Sequence, residues 1–128
     1  MAVIPVAKAL YLCEEIDDES GALNLYALFN AISADAFPHT LDSFCVFVQL
    51  AGGLGHVRVH CDISRASDER VIRVSNVYPL RFDRRSQLLR LAITLEGTTF
   101  DEPGVYVVQL FCDNTWVADV TLELRENV

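Results

Sequence analysis

Zinc-type cysteine spacing is missing from this sequence. Its four cysteines, Cys13, Cys45, Cys61 and Cys112, stand far apart, each inside an apolar run, with no CxxC pair and no Cys/His cluster among them. That spacing argues against a structural zinc and leaves the thiols as small buried hydrophobes of a reducing compartment. A Walker motif, a GxSxG elbow and an HExxH helix are also missing. Ser, His and Asp occur, yet nothing in their spacing picks out a nucleophile and its base, so catalysis is not expected. Glycine and proline are scarce, six and four in 128 residues, which excludes a collagen-like or low-complexity chain. Basic residues are few as well: ten Lys and Arg stand against eighteen Asp and Glu, for a formal net charge of -8. Such a field repels phosphates and argues against nucleic acid or an anionic membrane as partner. The opening MAVIPVAKALYLCEEIDDE has no basic stretch ahead of its apolar residues and turns acidic at Glu14. It fits neither a secretion signal nor a spanning helix, and a cytoplasmic protein is expected.

What is present is β-strand pattern almost throughout. Strands are expected over 6–16, 43–50, 56–64, 70–77, 87–95, 104–112 and 115–125. The stretch 22–33, ALNLYALFNAIS, has a composition that suits an amphipathic helix, but Leu23, Leu25, Ala27 and Phe29 alternate with their neighbours and favour one long strand. Residues 34–42, around Pro38, read as a loop crossing between sheets, and 78–86, with Pro79 and Asp83-Arg84-Arg85, as an irregular connection. Asp113-Asn114 marks a hairpin turn. About eight strands with no long helix predict an all-β, two-sheet antiparallel β-sandwich of immunoglobulin-like type. It forms a single domain over 1–128 that buries roughly two-thirds of its unfolded surface.

Two resemblances add to this. The segment Phe100-Asp101-Glu102-Pro103-Gly104-Val105-Tyr106 resembles the corner of immunoglobulin-like domains, where a Tyr ring packs inward and its hydroxyl bonds nearby backbone. Tyr106 takes that place, and Val108 stands where antibody domains carry a cysteine. The blocks ALYLCEEI, NLYALFNAI, VFVQLAGG and EPGVYVVQL resemble an uncharacterised bacterial family of small single-domain proteins of unknown function. That likeness implies a stand-alone bacterial protein and transfers no activity.

Three clusters invite a chemical reading. His56, Arg58, His60 and Asp62 share one strand face, a candidate polar binding face. His56 and His60 lie about 13 Å apart at 3.3 Å per residue, too far to share an ion, so a metal would need a ligand from a neighbouring strand beside His60 and Asp62. A solvated face is the plainer reading. Glu14, Glu15, Asp17, Asp18 and Glu19 lack the alternation and placed glycine of a calcium loop and read as a charged strand end and turn. Gly52-Gly53-Leu54-Gly55 precedes a strand rather than a helix, which makes it a turn and not a phosphate cradle.

The positive functional signal is apolar residues on both sides of two strands. Cys45 and Phe47 lie opposite Phe44, Val46, Val48 and Leu50, while Val105, Val107 and Phe111 lie opposite Tyr106, Val108, Leu110 and Cys112. Either the chain's own loop 78–86 or another subunit has to cover the second face. Cys45, Phe47, Val105, Val107 and Phe111 are therefore the candidate interface of a non-enzymatic protein that works by association, as a homo-oligomer or an accessory subunit. The alternative is a small-ligand or metal-binding domain using the loops at one end of the sandwich. No cofactor is expected.

Overall fold

A computed structural model describes residues 2–127. Ten strands follow one another: β1 (Val6–Glu19), β2 (Ala22–Leu28), β3 (Ala31–Ala34), β4 (His39–Ala51), β5 (Gly55–Arg65), β6 (Val71–Val74), β7 (Tyr78–Phe82), β8 (Leu88–Phe100), β9 (Gly104–Cys112) and β10 (Thr115–Glu126). They form a four-stranded sheet in the order β2-β1-β4-β8 and a six-stranded sheet in the order β3-β10-β9-β5-β6, with β7 also paired to β5. The β-sandwich expected from the alternation is present.

Its core follows from strand periodicity. On β5, Val57, Val59, Cys61 and Ile63 are buried while His56 and Arg58 on the other face stay exposed. The inward residues of β4 and β9, Phe44, Val46, Val48 and Leu50 with Tyr106, Val108, Leu110 and Cys112, meet them between the sheets. The hairpin joining β9 to β10 turns at Asp113 and Asn114, both at positive φ (48° and 60°), as a two-residue turn matched to strand twist requires.

Three details depart from the strand pattern. The stretch 22–33 is two strands in different sheets, because Ala27 adopts φ 56° and the chain crosses at Phe29, whose ring packs edge-on to Phe44 at 5.9 Å. β3 then runs parallel to β10, so pairing is not antiparallel throughout. The connection 78–86 contains β7, in which Tyr78, Leu80 and Phe82 alternate with Pro79 and Arg81. Pro79 is tolerated there because the strand lies at the sheet border.

The corner before β9 is built as its residues suggested. Tyr106 is fully buried, and its hydroxyl donates to the Glu102 carbonyl at 2.7 Å. Arg65 ties the same corner to the β5–β6 turn through Glu102 and Asp68. Tyr106→Phe keeps the ring and deletes that bond, so it should lower stability by about 1 kcal/mol in urea unfolding. A variant as stable as the parent would show that the hydroxyl contributes nothing to the corner.

Candidate functional site

Strand register decides which side chains share an outer surface, because directly paired residues project to the same side. On the outside of the four-stranded sheet the rows read Val6–Ala51–Leu88, then Ala9–Gln49–Arg90, then Tyr11–Phe47–Ala92, then Leu28–Cys13–Cys45–Thr94. Tyr26 follows opposite Glu15. The Tyr11 and Phe47 rings stack at 6.4 Å; Phe47 is only 7% exposed, while Tyr11 stays 48% and Leu28 58% exposed. Arg90 reaches Gln49 at 2.9 Å. This face is apolar in the Val6, Tyr11 and Leu28 rows, which the Gln49–Arg90 pair interrupts and Thr94, Glu15 and the Ser43–Glu96 pair border.

The outside of the six-stranded sheet is mixed. His60 and Phe111 are cross-strand neighbours with rings stacked at 5.1 Å and 11°, and Trp116 continues their row. The next row is polar: Asp119, Gln109 and Asp62, followed by Val74. Among the described residues, Val71, Val74, Val77, Val105 and Trp116 are the exposed large apolar residues of this side, as Val6, Tyr11, Tyr26, Leu28 and Leu88 are of the other.

The two pieces of the candidate interface are thus separated. Cys45 and Phe47 belong to one outer face, Val105, Val107 and Phe111 to the opposite one, and no single partner surface can cover both. Loop 78–86 covers neither, since its β7 extends the six-stranded sheet through β5. The outward side of residues 6, 11, 26, 28 and 88 is not legible in the sequence because it follows from register with β1 and β4, which no single strand reveals.

The polar face is strung out along β5. His56 lies opposite Arg81 and Arg58 opposite Pro79. Arg58 and Asp113 clasp each other, the Arg58 N–H donating to Asp113 Oδ1 and the Asp113 N–H to the Arg58 carbonyl, both at 2.9 Å. Arg58, His60, Val77, Asp113 and Asn114 line a depression of about 290 Å³. No group of three or more His, Cys, Asp or Glu is placed to hold a metal among the described residues. Asp62 Oδ1 is buried without a hydrogen-bond partner there. Burial raises the Asp62 carboxyl above its usual range, with His60 pulling the other way.

A folded-state pKa raised above the unfolded value means stability falls as pH climbs through the window between them. Asp62→Asn removes the charge that burial disfavours and should therefore raise the melting temperature at pH 7 and flatten the pH dependence just above pH 4. A lower melting temperature at pH 7, with the slope retained, would show that the carboxylate has a partner that offsets its burial.

All four cysteines are free and buried. Burial pushes Cys13, Cys61 and Cys112 up to about 11, which keeps these thiols protonated at neutral pH.

The profile of a family of unknown function, DUF6941, matches residues 8–125. The chain belongs to DUF6941. No curated protein matches it. Among solved structures, this DUF6941 member is similar to part of the alkylpurine DNA glycosylase AlkC of Pseudomonas fluorescens bound to DNA containing an abasic-site analogue. The TM-score is 0.52 at 12% identity, over 75% of this chain and 27% of that one. It is likewise similar to part of a β-glucosidase from Listeria innocua, with TM-score 0.52 at 12% identity over 95% of this chain and 16% of the enzyme. A mutant of that enzyme in complex with laminaribiose gives TM-score 0.53 at the same identity. The chain spans well under two thirds of these proteins, and at this identity the likeness concerns the fold alone. No helix among the described residues of the DUF6941 chain is long and apolar enough to cross a membrane.

Proposed function

We propose that this DUF6941 protein is a non-enzymatic association module of the cytoplasm that buries the outer face of its four-stranded sheet against protein, a second copy of itself first. The observation that carries this reading is the run of Val6, Tyr11, Tyr26, Leu28, Phe47 and Leu88 on one uncovered face. Five of these are half exposed, which amounts to roughly 400 Å² of apolar surface, in the range where a patch on a monomer tends to be functional. An isolated two-layer sandwich needs only one apolar side per sheet, so the second side is surplus to folding. Four unpaired thiols support the reducing compartment.

Light scattering over a dilution series tests it. Association at micromolar concentration is expected. A monomer throughout would remove the self-associating form and leave a heterologous subunit as the partner.

A second reading has one observation in its favour. Polar groups from β5 and the β9–β10 turn converge on the depression beside His60, as a small ligand would require. That reading predicts loss of binding with Arg58→Ala at unchanged oligomeric state, read by calorimetric titration with candidate ligands.

A further inference from the structure

Pairing of β1 with β4 ends at Cys13 opposite Cys45, and beyond it β1 continues with β2 alone to the pair Glu19–Ala22. The result is a two-stranded arm closed by Ser20 and Gly21, at φ 52° and 82°. Two strands by themselves are marginal in water, and a third is what usually makes such a ribbon stable.

The long edges of the arm differ. Along β1 stand Glu14, Glu15, Asp17, Asp18 and Glu19, charges of the kind that keep strands from pairing. Along β2, ALNLYAL, there is neither charge nor proline. With a two-residue turn the flanking pair exchanges ladder bonds, and these recur at Asn24 and Tyr26. The N–H and C=O groups of Leu23 and Leu25 then point away from β1. Among the described residues no backbone bond from a turn or loop reaches them. The opposite border of the same sheet is guarded: the Arg73 guanidinium donates to the Glu96 carbonyl at 3.3 Å, and Gly97 bends the strand at φ 65°.

We propose that β2 is a docking edge for an extended segment of a different protein, alternating aliphatic and basic residues, which adds to the arm as its third strand. The proposal goes beyond the self-association reading: it concerns the edge of the same sheet rather than its outer face, and a different partner. Main-chain bonds to Leu23 and Leu25 supply affinity in any such addition, and side chains supply selectivity. Selectivity here comes from charge. A strand next to β2 lies roughly 10 Å from β1, a gap that Lys or Arg and a Glu or Asp span together. A second copy docked at this edge would instead bring its own acidic arm against this one. At the root of the arm an opening of about 400 Å³, lined by Glu14, Phe29, Ile32, Leu41 and Phe44 among others, repeats the combination of apolar wall and carboxylate.

A fluorescein-labelled nine-residue peptide alternating Val and Lys is the probe, followed by anisotropy on the full chain at low ionic strength. Binding is expected, weakened at least tenfold by N-methylation of alternate peptide amides, by replacing Lys with Glu, and by Leu25→Pro. Hydrogen exchange on the unaltered chain provides a readout independent of the variant's folding: the Leu23 and Leu25 amides should exchange fast alone and become protected with peptide. Equal binding of the N-methylated peptide, no change with Leu25→Pro, no binding at all, or unprotected amides in the complex would each overturn the proposal. Protection of those amides that grows with protein concentration and needs no peptide would assign the edge to a second copy and overturn it too. Peptide failure with self-association intact removes the edge and spares the apolar face. Peptide binding by a chain that stays monomeric at every concentration does the reverse.

Discussion

Replacing Phe82 with Ala should lower stability by about 3–5 kcal/mol, the range for emptying the site of a buried aromatic ring. Phe82 is 1% exposed, sits opposite Gly55 at the end of β7 and packs on Gly53, where a Cβ would come within 2.8 Å of its ring. The ring pins the 78–86 segment to the core, so its loss leaves a cavity between β7 and the turn that precedes β5. Gly53→Ala attacks the same contact from the other side and should cost about 1–3 kcal/mol through overpacking. The two changes share one space, and the double variant should fall short of the sum. Equilibrium urea unfolding measures all three. A loss under about 0.5 kcal/mol for Phe82→Ala would mean that 78–86 is a surface loop.

That segment also shows where the sequence is silent. Alternation located the strands that have one wet and one dry face, and β5, β9 and β10 lie within a residue or so of their expected bounds. It missed β7 because Pro79 and the Asp83-Arg84-Arg85 run signal a loop, while the burial that makes Phe82 a strand residue comes from Gly53, some thirty positions earlier. It merged β2 and β3 because apolar residues recur on either side of Ala27, and only the positive φ of that alanine breaks the run. The candidate site was legible to the extent that Cys45, Phe47, Val105, Val107 and Phe111 do project outward. That they fall on opposite outer faces was not legible, since sheet membership is set by pairing between distant strands. The same limit hid Tyr11 and Leu28, whose outward direction follows from their register with Phe47 and Cys13.

The other large effect is expected at Tyr11. Its ring forms the exposed half of the Tyr11–Phe47 stack at the middle of the apolar face, and a carboxylate there has to be desolvated if the face is covered. Tyr11→Asp should weaken self-association at least 100-fold, about 2.7 kcal/mol or more, while leaving the fold standing because the position is already half in water. Phe47→Asp is the poorer choice, since Phe47 is nearly covered within its own sheet and the charge would strike folding first. Trp116→Asp, half exposed on the opposite face, is the matched control and should leave association unchanged.

Sedimentation equilibrium on the unaltered, Tyr11→Asp and Trp116→Asp chains at the same micromolar concentrations shows whether the outer face of the four-stranded sheet is the interface. A dimer or larger assembly is expected for the unaltered and Trp116→Asp chains and a folded monomer for Tyr11→Asp. An assembly that survives Tyr11→Asp and dissociates with Trp116→Asp would contradict that assignment, placing the interface on the six-stranded sheet.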